Sequence, residues 1–364
     1  MNASLAATSA LDEDQLQARL LAGVSRTFAL TIPQLPPGLY KAVANAYLLC
    51  RIVDTIEDEV ALSSEQKRGF CAEFAAVVQG QADAESFCQR LAPLLSANTL
   101  PAEHELIHCV PRVIRITHGL DQPQIDALAE CVKVMSHGMA DFQDQDLTAG
   151  LADLGEMGRY CYYVAGVVGE MLTRLFCHYS PEIARHRDAM MALAVSFGQG
   201  LQMTNILKDV WDDQQRGVSW LPRDVFAAHG YDLAQLAPEH NNAEFRAAYR
   251  EVVAVAHGHL RNALEYTLLI PSHETGIREF CLWALGMAVL TLRKINGNLA
   301  FTASNQAKIS RRSVKATILA TRLALRCNFL LKLLFKLAGL GLPAPAAPLS
   351  VTADFVTQPS NTKA

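Results

Sequence analysis

The chain has 364 residues, 51% of them apolar and 19% charged, with a formal net charge of -4. It is too apolar for a disordered chain and too long for a minimal domain, and it fits one large or two ordinary domains. Nine Lys or Arg against one acid from Asn305 onward make that stretch +8 and leave -12 on residues 1–304, which argues against general nucleic-acid binding, because phosphate contacts need a basic face.

Strand signals are scarce, whereas Ala/Leu-rich segments with three-to-four spacing recur, so the chain reads as all-α. Residues 1–15 carry Asp12, Glu13 and Asp14 where a secretory signal would be basic, and they read as a flexible start. Pro33, Pro36 and Pro37 precede a helix over 38–62, and Ser63-Ser64-Glu65 starts the next over 65–80. Further helices are predicted over 84–96, 102–118, 122–147, 153–178, 181–214, 242–268, 275–302 and 309–338. No long linker or fixed-period repeat separates them, so a single domain over 16–304 is expected. A basic amphipathic segment over 305–342 and a disordered Pro/Ala/Ser/Thr-rich tail over 343–364 follow it.

The nine cysteines are scattered and never form a C-x-x-C pair, so neither a disulfide framework nor a zinc site is expected and a cytoplasmic, reducing setting fits. No segment reaches ~18 uninterrupted apolar residues. Phe329 to Leu342 comes nearest, broken by Lys332 and Lys336.

Two acidic motifs carry the chemical signal. In Arg51-Ile-Val-Asp54-Thr-Ile-Glu57-Asp58 the aspartates are one helical turn apart on a helix whose Leu48, Leu49, Ile52, Val53 and Ile56 are apolar. Like charges at that spacing repel and invite a cation, and the pair should face the interior of a bundle. Alone, the motif reads more readily as an ordinary solvated acidic patch. Gln202-Met-Thr-Asn205-Ile-Leu-Lys208-Asp209-Val-Trp-Asp212-Asp213 repeats the spacing at Asp209 and Asp213. Carboxylate pairs from two helices suit Mg²⁺, which takes few protein ligands and completes its shell with water and phosphate oxygens. Ionisation of an allylic diphosphate is the expected chemistry. A Walker-type phosphate loop is absent from the sequence.

These motifs, with Ser25-Arg26-Thr27-Phe28, Gly138-Met-Ala-Asp141-Phe142, Tyr160-Cys-Tyr-Tyr163-Val-Ala-Gly166-Val-Val-Gly169 and Gln202 through Pro222, resemble the squalene and phytoene synthases, which join prenyl diphosphates head to head. The resemblance runs from about Ser25 to Ser313 and implies the all-α isoprenoid-synthase fold. It implies metal and diphosphate binding at Asp54, Asp58, Asp209 and Asp213, and diphosphate contacts from Arg26 and Arg51, whose planar donors suit phosphate oxygens. Tyr163 matches the tyrosine beside the reacting carbons, able to exchange a proton or face a cation with its ring. Phe28 and Phe280 would line the prenyl tunnel, and Gln202 and Asn205 the pocket by the second motif. The glycines from Gly166 to Gly169 suggest close helix packing or a bend.

Within the family, Tyr160-Cys161, Asp213-Gln-Gln and Phe280-Cys281 look like the squalene branch, whose members condense two farnesyl diphosphates and reduce the product with NADPH. Lys308-Ile-Ser-Arg311-Arg312 resembles that branch's basic segment near the nicotinamide cofactor, and Asn205, Lys208 and Arg216 are further cofactor candidates. The same basic cluster also reads as a membrane-facing patch. Arg216-Gly-Val218-Ser-Trp220-Leu-Pro222 is closer to phytoene-type enzymes, and Val218 stands where squalene synthases keep an Arg. A reductant-free phytoene or dehydrosqualene synthase is therefore the alternative, and a non-catalytic membrane-associated homologue a third. Residues 308–342, rich in Leu and Lys, are expected to lie on an anionic membrane surface. Prenyl chain length and oligomeric state stay open.

Overall fold

A computed structural model describes residues 11–25, 27–142, 145–346 and 349; the Arg26 side chain and most of the predicted disordered tail fall outside them. The described residues form helices joined by turns and loops, and their one β-bridge joins Leu151 to Pro222. The chain divides into two compact units, Met1–Gln145 with Met171–Ala184, and Asp146–Glu170 with Arg185–Ala364.

In the first unit, α1 (Glu13–Val24) is a helix that the periodicity does not predict, and it begins within the stretch read as a flexible start because Asp12 and Gln15 form a capping box. Pro36 and Pro37 then open α2 (Pro37–Asp58), which buries Leu48, Leu49, Ile52, Val53 and Ile56 as its spacing requires. α3 (Ser64–Val78) starts on the Ser63 cap, and α4 (Ala84–Leu91) on Asp83. The stretch predicted as one helix over 102–118 is two, α5 (Pro101–His108) and α6 (Val110–His118). Pro111 has no N–H for the Ile107 carbonyl, which the Cys88 thiol contacts instead at 3.4 Å. α7 (Gln122–Ala140) stops seven residues short of its predicted end. A buried polar chain ties α1, α2 and α6: Gln17 donates to Asn45 at 3.3 Å, and Asn45 donates to Thr117 at 2.7 Å.

The second unit begins with α8 (Leu154–Cys161), capped by Asp153, which runs into a π turn over Tyr162–Gly166. α9 (Val167–Tyr179) continues from it and carries the chain into the first unit. α10 (Arg187–Gln215) then packs along α12 (Ala243–Leu269), with the short α11 (Arg223–Ala228), which periodicity missed, between them in sequence. α13 (Thr275–Gly297) is long and apolar enough to cross a bilayer, but 67% of its most apolar window is buried inside the protein, so it is a core helix. The predicted 309–338 helix is broken into α14 (Arg311–Ala324) and α15 (Asn328–Ala338). The break is tertiary in origin: buried Arg278 donates to the Leu325 carbonyl and to Asn328 Oδ1, both at 2.8 Å.

Candidate active site

The first acidic motif occupies the last two turns of α2. Its apolar neighbours are interior, but Asp54 is partly exposed and Asp58 exposed, not buried in the bundle as expected, because Asp58 is the final residue of the helix. Arg51, one turn earlier, lies 3.6 Å from Asp54 and is also paired with Glu103 of α5. Burial, moderated by Arg51 and reinforced by Asp58 and Glu103, pushes the Asp54 carboxyl up to about 7. Burial and the two aspartates likewise raise Glu57 well above the carboxylate range. Beyond the helix, Glu59 accepts hydrogen bonds from Ala61 N and Ser96 N at 2.8 Å and from Thr99 at 2.5 Å, fixing the loop after Asp58. Phe28 lies beside Tyr47, ring centroids 5.3 Å apart, in this same unit.

The second motif lies near the end of α10, where Asn205 is exposed, Asp209 half-buried and Asp213 buried, with Gln202 half-buried one turn before. Lys208 bridges Asn205 at 3.1 Å and Asp209 at 3.0 Å, while Arg216 is held by Asp213. Even with that partner, burial leaves Asp213 raised to about 6. Below it, Ser219 N donates to the Leu147 carbonyl at 2.8 Å and Leu151 N to that of Leu221 at 2.9 Å, so loop 147–151 holds the strand-like 219–222 segment. Trp220, in the departure from the squalene pattern, stacks on Tyr160 at 3.8 Å. Tyr160 is thus a packing residue. Tyr163 sits partly exposed on the π turn, its ring 5.3 Å from that of Tyr162. Phe280 is buried in α13. Lys308, Arg311 and Arg312 are exposed, and the two arginines open α14, where the positive end of the helix disfavours cations and an anion would offset the charge.

Sequence reasoning missed Glu103 and Glu59. Glu103 is 52 positions from Arg51, and locally it reads only as the capping residue of α5, a part it also takes by accepting Leu100 N at 3.2 Å.

Magnesium fits the donor set. Each motif offers two carboxylates one turn apart, and burial raises the Asp54 and Asp213 carboxyls even beside Arg51 and Arg216, so a cation bound there would favour their charged form.

A profile of the squalene/phytoene synthase family matches residues 21–313. The chain is 31% identical to a squalene synthase of Candida albicans over 77% of its own length and 61% of the relative's, and 30% identical to one of Botryococcus braunii over 82% and 62%. It thus spans about six tenths of the length of these relatives. A solved complex of "TcSQS" with a ligand superposes with a TM-score of 0.72 at 24% identity, covering 90% of this chain and 98% of that one. A ligand complex of a dehydrosqualene synthase gives 0.58 at 20% identity, covering 86% and 99%. These superpositions show the shared all-α fold.

Proposed function

Because the chain belongs to the squalene/phytoene synthase family, we propose that it is a squalene synthase, condensing two farnesyl diphosphates through presqualene diphosphate and reducing that intermediate to squalene with NADPH. The reading rests chiefly on one observation: both Asp-x-x-x-Asp pairs are present on long helices, and in each pair burial raises one carboxyl, Asp54 or Asp213, even beside its arginine partner.

Asp54 and Asp58 form one carboxylate pair that would hold Mg²⁺, and Asp209 and Asp213 another. Bound metal would supply neutralisation of the diphosphate leaving group's charge. Arg51 donates to diphosphate oxygens, with Glu103 fixing the guanidinium, and Arg26 is assigned the same role. Tyr163 faces the reacting carbons, where its phenol takes or returns a proton and its ring stabilises a cation. Phe28 and Phe280 line the prenyl chain, and Gln202 and Asn205 the pocket by the second motif. Lys308, Arg311 and Arg312 would bind the NADPH phosphates, aided by Lys208 and Arg216. The catalytic domain of this reading is 16–304, and the protein is cytoplasmic, peripheral at a membrane that receives the water-insoluble product.

Val218 and the stacked Trp220 favour a second reading, a dehydrosqualene synthase that ends by proton loss and needs no reductant. The paired carboxylates argue against a non-catalytic scaffold. Purified protein with farnesyl diphosphate and Mg²⁺, with and without NADPH, separates the three. Squalene formed only with NADPH supports the first, dehydrosqualene regardless of reductant the second, and no turnover the scaffold.

A further inference from the structure

The α14–α15 pair is docked on the second unit by one side and bare on the other. Leu331 of α15 is 2% exposed, Leu334 and Phe335 are half-buried, and Phe335 stacks on His257 of α12 at 6.0 Å. Lys332 pairs with Glu265 at 3.1 Å. On α14, Arg322 pairs with Glu279 at 3.0 Å and lies 5.0 Å above the Trp283 ring. Arg278, 1% exposed, fastens the corner between the two helices.

The opposite face is apolar. Phe329 is 74% exposed, and Leu330, Leu333 and Leu337 join it within an arc of about 100° at the helical repeat. Leu340 lies just beyond, and Leu319 and Leu323, the latter 78% exposed, give α14 a matching stripe. After α15 the chain returns along the body: Asn296 donates to the Gly341 carbonyl at 2.9 Å, and His257 lies 2.8 Å from that of Pro343. Residues 339–346 therefore lead away from the bare face.

Charge identifies the occupant. Residues 305–346 contain eight cations and no acid. Arg322 and Lys332 are committed to the body and Arg311 and Arg312 to the proposed cofactor site, whereas among the described residues Lys315, Arg326 and Lys336 enter no ion pair and are exposed. A second copy would bring like charge against like. An anionic lipid surface offers hydrocarbon for the leucines and phosphates for the cations.

We infer that the outward face of α14–α15 is a preformed docking surface for an anionic bilayer, lying in the interface plane with Phe329, Leu333 and Leu337 at its centre. This inference deepens the membrane partner of the proposed function and names the lipid charge and the residues. With eleven residues, α15 is about 16 Å long against a hydrocarbon core of about 30 Å, so it lies on the membrane and does not span it. Because the helices are already held by Arg278 and Leu331, docking orders no new structure.

The test is co-sedimentation of the full chain, without substrate, with vesicles of phosphatidylcholine alone or mixed with phosphatidylglycerol. Binding is expected to the mixed vesicles and to weaken with salt. The double variant Phe329→Asp/Leu333→Asp should reduce the bound fraction about tenfold or more, and Arg326→Gln/Lys336→Gln should remove the preference for anionic lipid. Unchanged melting temperatures and farnesyl diphosphate consumption in detergent would show that both variants are folded and that the catalytic reading stands separately. Wild-type protein that ignores anionic vesicles, a double variant that sediments like wild type, or a solution dimer dispersed by Phe329→Asp/Leu333→Asp would each overturn the inference.

Discussion

A β-carbon on Gly198 would lie 2.0 Å from the carbonyl oxygen of Ala165, so α10 and the π turn meet backbone to backbone. One turn along, a β-carbon on Gly169 would lie 2.1 Å from the Ala194 carbonyl. The pair of glycines fixes the π turn, and with it the place of Tyr163. Gly198→Ala should therefore cost roughly 3 kcal/mol or more, read as a drop of several degrees in the melting temperature, since neither contact is with a movable side chain. Gly69→Ala is the control: it lies within α3 with nothing within 4 Å of the new methyl, and it should stabilise by about 0.5–1 kcal/mol.

Asp54→Ala and Asp209→Ala should each lower turnover of farnesyl diphosphate by about a hundredfold or more while the protein stays folded, because metal-assisted charge neutralisation is worth several kcal/mol. A second readout avoids catalysis: Mg²⁺ with inorganic diphosphate should raise the melting temperature of the wild-type protein and do so less in either variant. Wild-type rates and wild-type protection would remove the metal assignment.

Most of the fold is legible in the sequence because α2, α10, α12 and α13 carry long runs of apolar residues at helical spacing, with Pro37 and Asn242 marking two of the starts, although α13 ends at Gly297 and not at the predicted 302. The π turn is not legible, since its register depends on Gly198 and Ala194, which are distant in sequence. The break between α14 and α15 has no local Gly or Pro to announce it; Arg278 imposes it from another helix. The aspartates, Arg51 and Tyr163 can be read from motifs, whereas the Glu103 partner of Arg51 and the three hydrogen bonds on Glu59 exist only once the helices pack. The break at Cys109 is a different case: Pro111 was a visible signal that the apolar periodicity outweighed.

His259 should make stability depend on pH. It is 5% exposed, with Ser196 Oγ 2.7 Å from its Nδ1, and burial lowers its pKa to about 4. Below the unfolded value of about 6.5, the unfolded chain takes up a proton that the folded chain does not. Stability present above about pH 6.5 should then fall by about 1.4 kcal/mol per unit as the pH drops toward 4, up to about 3 kcal/mol in all. Urea unfolding of wild type and His259→Gln across that window isolates the effect: the wild-type curve should lose this much relative to the variant. Parallel curves would contradict the assignment.

Arg278 donates to the carbonyls of Ile270, Leu325 and Leu268 and to Asn328, so Arg278→Met leaves several buried acceptors without a donor. The expected result is faster proteolysis between α14 and α15, with cleavage near Arg326, and a lowered melting temperature. A digestion pattern identical to wild type would mean that the corner is held by other contacts.

Transfer of label from NADPH tests the proposed head-to-head condensation and reduction most directly. Protein incubated with farnesyl diphosphate, Mg²⁺ and NADPH carrying deuterium at the transferable C4 position should yield squalene one mass unit heavier, with the label at a carbon of the new central bond. Dehydrosqualene formed without loss of label from the cofactor, or squalene carrying none, would contradict it.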